Sequence, residues 1–155
     1  MVQQCPHLAV IRLPPCHIAF RQRRLVDDAG RRPGQLDNLL RQLHDSGVNH
    51  RDYYAGHVLV DRLDRLHLVD LGRAEIRRRV PRRRVIKDLA AFLFSVPERV
   101  VDVELREHFV RSYLGENPET RVTDLVATVT RKSRWMRRHA ERKLARGETN
   151  IHVNT

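Results

Sequence analysis

Two aspartates, Asp52 and Asp70, flank a stretch in which apolar runs surround a polar turn: Val58-Leu59-Val60, then Asp61-Arg62-Leu63-Asp64-Arg65, then Leu66-His67-Leu68-Val69. Two β-rich runs around a short polar segment predict a hairpin. A hairpin brings its start and its end side by side, so both carboxylates can face one cleft. Such a pair suits phosphoryl transfer. The transferred group is highly charged and passes through a loose transition state, so the protein chiefly positions reactants and neutralises charge. One carboxylate must lie beside the attacking hydroxyl, to orient it or take its proton. A second must hold Mg²⁺, which prefers hard oxygen ligands.

The flanking pattern is mostly helical. Leu36, Leu39, Leu40 and Leu43 recur at helical spacing, and Gly47 is placed to end that helix. Beyond Asp70 the residues from Arg73 to Lys87 are basic and contain Pro81, which predicts an ordered loop. Helical periodicity returns over residues 86–95, through Leu89, Ala90, Leu93 and Phe94. It returns again over residues 102–114, with Leu105, Phe109 and Tyr113 on one face, until Gly115-Glu116-Asn117-Pro118 breaks it. A last helix is expected over residues 122–145. Its first half would bury Leu125, Val126 and Val129, and its second half is loaded with Arg and Lys. Residues 1–34, broken by four prolines, are expected to be irregular, with a short strand near residues 8–13 as a weak option. The expected fold class is mainly α with a small β-hairpin.

Bulk composition narrows the partners. The chain has 155 residues, a net charge of +11 and a pI near 11.0, with 32% charged and only 5% aromatic residues. That balance attracts polyanions: phosphorylated sugar, nucleotide, anionic lipid or nucleic acid. Cys5 and Cys16 are too few for a disulfide framework and fit no zinc pattern. No apolar run reaches the length that spans a bilayer, and no signal peptide is recognisable. A cytoplasmic location is the default expectation.

The segment His50-Arg51-Asp52-Tyr53-Tyr54-Ala55-Gly56-His57 resembles the catalytic loop of protein-kinase-like enzymes, and Asp70-Leu71-Gly72 resembles their metal-binding element. The resemblance sharpens at His57, where protein kinases place Asn and the lipopolysaccharide core kinases (heptose and Kdo kinases) place His. Arg73-Ala74, the basic segment around Pro81 and Lys87-Asp88-Leu89 are also similar to that family, as is Leu43-His44-Asp45-Ser46-Gly47. The match covers roughly residues 35–115. It implies a kinase-like carboxy-terminal lobe over residues 35–155, with a basic last helix. No recognisable amino-terminal lobe accompanies it: there is no Gly-rich G-x-G-x-x-G loop, and Lys87 is the first lysine.

By position, the resemblance implies that Asp52 is the catalytic carboxylate and that Asp70 binds the metal. His57 stands at the second metal-ligand position. It has two other readings, a phosphate or substrate contact and a hairpin histidine bonded to a backbone carbonyl. Asp88 would be the buried helix carboxylate that braces the catalytic loop, with His50 and Arg51 as further supports. Arg73, Arg82 and Arg83 are candidates to bind an anionic acceptor, since Arg pairs phosphate and carboxylate bidentately.

The implied function is ATP- and Mg²⁺-dependent phosphorylation of a sugar hydroxyl on the lipopolysaccharide core or another anionic glycolipid. The protein would lie peripherally on the cytoplasmic face of the inner membrane. Two other readings stay open. One is an inactive, pseudokinase-like piece that binds an anionic surface or a partner. The other, less favoured, is a basic nucleic-acid-binding protein, which would lack aromatic platforms and a recognisable motif.

Overall fold

The computed structural model describes residues 23–24, 33–61, 63, 65–97, 102–115 and 119–148. The weak strand option near residues 8–13, both cysteines and the break at residues 116–118 lie outside them. Four helices carry the fold: α1 (Pro33–Asp45), α2 (Arg82–Ser95), α3 (Val103–Leu114) and α4 (Glu119–Ala145). Between α1 and α2 lies the small β-structure. Strands β3 (Val58–Val60) and β4 (Leu66–Leu68) form the expected hairpin, in the register Val58↔Leu68, Leu59↔His67 and Val60↔Leu66. β1 (Arg23–Arg24), in a stretch expected to be irregular, pairs antiparallel with β3. β2 (Val48–Asn49) and β5 (Glu75–Ile76) form a separate two-stranded piece.

The core follows the helical periodicities. Leu40 of α1 meets Leu89, Phe92 and Leu93 of α2, Phe109 and Val110 of α3, and Leu125 and Val129 of α4 in one buried cluster. Phe92 and Phe109 stack with centroids 4.8 Å apart. Tyr53, fully buried, reaches into the same cluster and packs on Phe92. The chain segment that carries Asp52 is thereby nailed to the core by its next residue. α1 packs on α3 and α2 on α4.

Helix ends show local chemistry at work. Asp102 caps α3 by accepting from the Leu105 N–H at 2.8 Å, a contact worth about 1 kcal/mol in general. α2 begins at Arg82, four residues before the expected start at Ile86. Pro81 does not hold the chain in a loop there. It stands at the cap position with φ −66°, where its missing N–H leaves no helical bond unmade and its ring presets the entry. The three arginines that follow are good helix formers.

Candidate active site

The loop from Asn49 to His57 is held from below by one buried carboxylate. Asp88, on α2 and fully buried, uses Oδ2 to accept from Asn49 Nδ2 at 2.6 Å, the His50 N–H at 3.1 Å and the Arg51 N–H at 3.4 Å. His44 Nε2 of α1 donates to the same oxygen at 3.3 Å. In the neutral ring its Nδ1 then accepts from the Tyr113 hydroxyl of α3 at 2.8 Å. Burial holds the Tyr113 phenol protonated, well above the usual tyrosine range. A relay from α3 through α1 and α2 thus ends on the loop backbone.

The loop itself is strained at its centre. Arg51 has φ +75°, in the left-handed region that a non-glycine residue rarely adopts. Three anchors hold it. Its N–H goes to Asp88, its carbonyl accepts from the Lys87 ammonium, and its guanidinium donates to Glu75 Oε1 at 2.9 Å. Glu75 also meets Arg77 and Arg84. The Arg77 hydrogen bonds hold its carboxyl below the usual range, with the neighbouring guanidinium charges adding to the effect.

His50 and His57 join this loop to the end of the hairpin. His50 Nε2 donates to the Val69 carbonyl at 3.0 Å, which leaves Nδ1 to accept the Asp52 N–H at 3.3 Å. His57 Nδ1 lies 2.8 Å from the Asp52 carbonyl. A carbonyl only accepts, so Nδ1 carries the proton there. In the neutral ring the Nε2 lone pair then faces Asp70 Oδ2, 3.6 Å away. Asp70 sits at φ +59° and ψ +54°, the second non-glycine residue with positive φ among those described. Strained backbone concentrates at functional sites, and here it marks both candidate aspartates' surroundings.

Asp52 is buried save for a narrow opening. Arg73 Nη1 lies 2.9 Å from its Oδ2, and Lys87 Nζ lies 3.7 Å from its Oδ1. Burial pushes the Lys87 ammonium below the usual lysine range, and the Asp52 and Asp88 charges offset only part of that. Tyr54, half-buried between His57 and Phe94, has its phenol pushed up by burial and by Asp52.

The structure therefore brings together Asp52, His57, Asp70 and Arg73, with His50, Arg51 and Asp88 beneath them. Arg82 lies elsewhere, paired with Asp124 of α4, and Arg83 is exposed on the first turn of α2. A cleft of about 840 Å³ lined by His44, Arg79, Tyr113 and Asp124, among others, opens beside the Asp88 relay; none of Asp52, His57 and Asp70 lines it. Sequence reasoning passed over His44, Glu75 and the contact of Lys87. His44 and Lys87 both stood in family-like segments without a role assigned to them, and His44 also lies four residues after Leu40, on the buried stripe of α1.

Among the described residues no group of three or more His, Cys, Asp and Glu side chains is placed to hold a metal ion, so a cation here would find one hard carboxylate and one imidazole, a poor ligand for Mg²⁺. Asp70 offers an exposed carboxylate, and the Asp52 carbonyl fixes the ring that aims Nε2 beside it.

Comparison with known proteins gives the family. The family model described as "Lipopolysaccharide kinase (Kdo/WaaP) family" matches residues 31–113. The chain belongs to this family. It is 33% identical over 138 residues to the lipopolysaccharide core heptose(I) kinase WaaP of Pseudomonas aeruginosa, covering 84% of this chain and 46% of that protein. It is 44% identical over 68 residues to WaaP of Escherichia coli K12, covering 39% of this chain and 26% of that one. A solved structure, "WaaP in complex with acyl carrier protein", superposes with a TM-score of 0.57 and 31% identity, over 72% of this chain and 49% of that chain. The chain thus spans at most about half the length of these Kdo/WaaP relatives. The fold is that of a kinase-like carboxy-terminal lobe.

Proposed function

We propose that this chain carries the transfer half of an ATP-dependent phosphotransferase that phosphorylates a sugar hydroxyl of the lipopolysaccharide core. The observation that carries the reading is the His57 bridge. One imidazole bonds the backbone carbonyl of Asp52 and faces the carboxylate of Asp70, which supports a reading in which both aspartates work at one site. Family membership supplies the reaction class.

In this reading the acceptor hydroxyl lies against Asp52, which orients it and takes its proton as the new bond to phosphorus forms. Asp70 would hold Mg²⁺, with His57 Nε2 beside it, and the bound ion would supply charge neutralisation on the nucleotide phosphates. Arg73 pairs Asp52 in the absence of substrate and turns to an anionic group of the acceptor when substrate enters. Arg82 and Arg83 extend the basic approach. Asp88, His50 and Arg51 fix the loop.

The outer face of α4 supports a peripheral position at the cytoplasmic face of the inner membrane. Arg131, Arg134, Trp135, Arg138 and Arg142 share one exposed stripe, suited to anionic headgroups. Among the described residues no helix is long and apolar enough to cross a membrane. An acyl carrier protein, held by the structural relative, is a candidate partner.

The test is transfer from Mg²⁺–ATP to a lipopolysaccharide core acceptor by the full-length protein. Asp52→Asn is expected to lower kcat by about 10²–10⁴-fold, the usual worth of a positioned acid or base. Asp70→Asn is expected to remove the Mg²⁺-dependent part of nucleotide binding. Saturable nucleotide binding with no transfer to any acceptor would favour the pseudokinase-like reading instead.

A further inference from the structure

Lys87 stands out from the basic residues of the chain. Of thirty Lys and Arg residues only Lys87, Lys132 and Lys143 are lysines, and the last two lie on α4. Lys87 lies on α2, next to the fully buried Asp88. Its root is therefore fixed relative to the loop that Asp88 holds. The ammonium is anchored by one bond to the Arg51 carbonyl, which leaves two of its three protons free to point elsewhere.

The distance to Asp52 decides what those protons can do. Nζ and Asp52 Oδ1 are 3.7 Å apart. That is too long for a hydrogen bond, and nothing in the fold forces the gap closed. Two such atoms can each reach a third oxygen about 2.8 Å from both. An acceptor hydroxyl oxygen there would donate its proton to the carboxylate and accept from the ammonium, which keeps one further proton for an oxygen of the phosphoryl group arriving at that hydroxyl. Arg73 cannot serve in the same way, because it approaches the other oxygen of Asp52 from an exposed loop position with 63% of its side chain open to solvent. Lys87 is 30% exposed by the same measure, so its charge acts through less water.

We propose that Lys87 is a catalytic cation of the transfer step, binding an oxygen of the migrating phosphoryl group beside Asp52. The proposal rests on the phosphotransferase reading above. The bond between the acceptor oxygen and the γ-phosphorus forms while the bond from that phosphorus to the β,γ-bridging oxygen breaks. The electron pair of the broken bond leaves with ADP, and the hydroxyl proton passes to Asp52. Lys87 keeps its own protons throughout and offsets the charge on the phosphoryl oxygens. It occupies a helix rather than the catalytic loop, and the loop residues after Asp52 are Tyr53 and Tyr54.

The experiment compares full-length wild type, Lys87→Met, Lys87→Arg and Asp52→Asn in three measurements. These are steady-state transfer, binding of Mg²⁺–ADP with and without aluminium fluoride as a mimic of the moving phosphoryl, and thermal melting. The expected result for Lys87→Met is a kcat lower by about 10²–10³-fold, the range for losing one preorganised group that stabilises transition-state charge. Its KM for ATP and its affinity for Mg²⁺–ADP alone stay within about threefold, because a cation of this kind acts on the transition state. The tightening that aluminium fluoride gives the wild type is lost, the melting temperature is retained within a few degrees because Asp88 and Glu75 still hold Arg51, and Lys87→Arg recovers part of kcat. A kcat for Lys87→Met within threefold of wild type would overturn the proposal. So would a loss of activity that follows a loss of melting temperature, which would make Lys87 a support for the Arg51 carbonyl. If the wild type neither transfers phosphate nor binds Mg²⁺–ADP, the phosphotransferase reading itself fails and takes this proposal with it. Wild-type turnover with an unaffected Lys87→Met removes the proposal alone.

Discussion

Asp88 carries more of the site than any other residue, and it touches no part of the cleft. Its single Oδ2 accepts from Asn49, His44 and the N–H groups of His50 and Arg51. Removing it leaves buried donors without a partner, and that penalty is the full desolvation cost of each rather than the net worth of a bond. Asp88→Ala is expected to lower stability by about 3–5 kcal/mol in a denaturant titration. It should also free Arg51 from its left-handed backbone. The sequence revealed Asp88 only through likeness to a family, because a carboxylate following Lys87 on a helix reads equally well as a surface ion pair. His44 was passed over for a different reason. Its place on the apolar stripe was legible, but its partners Asp88 and Tyr113 lie 44 and 69 residues away. Long-range polar pairing leaves no mark on local periodicity.

Among the elements, the hairpin and the β2–β5 piece set the spacing between Asp52 and Asp70. The turn of the hairpin is gathered by Asp61, which accepts from the Leu63 and Arg65 N–H groups and meets the Arg65 and His67 side chains. The His67 hydrogen bond, with the Arg65 and Leu63 N–H groups, holds its carboxyl well below the usual range. A carboxyl depressed by folding stabilises the fold above its unfolded pKa, and that contribution fades as pH falls through the folded value. The hairpin is therefore expected to loosen below about pH 4. Following the β3 and β4 amides by NMR should show this loosening in the wild type and a weaker pH dependence in Asp61→Asn. The β2–β5 piece depends on Gly47. At φ +83° its added Cβ would stand 2.0 Å from the Arg77 carbonyl oxygen. Left-handed backbone alone costs a non-glycine residue about 1–3 kcal/mol, so Gly47→Ala is expected to lose at least that much in the same titration. The hairpin was readable from alternation and turn chemistry. β5 was not: two residues among arginines carry no period, and their place is set by distant partners, the pairing with β2, the Gly47 carbonyl on the Arg77 N–H and the Arg51 guanidinium on Glu75.

Across the whole molecule, helix order and the apolar faces of α1 to α4 were legible because each buries a stripe with helical spacing. The start of α2 was misjudged because a proline reads as a breaker until its cap position is seen. The charge of the chain was legible in amount and not in purpose. Part of it converges on Glu75 to hold Arg51, part flanks Asp52, and part lines the outer face of α4.

The His50 ring, one end on the Asp52 N–H and the other on the Val69 carbonyl, has a dynamic consequence. The two acidic groups cannot loosen one at a time. Opening the backbone at Asp52 releases the ring, and the ring's release unfastens the residue just before Asp70. Hydrogen–deuterium exchange should therefore find the amides of His50, Arg51, Asp52 and Val69 opening as one cooperative unit, with a shared free energy near that of the buried half of α2. Separate exchange rates for Asp52 and Val69 would mean that the two ends of the hairpin move independently.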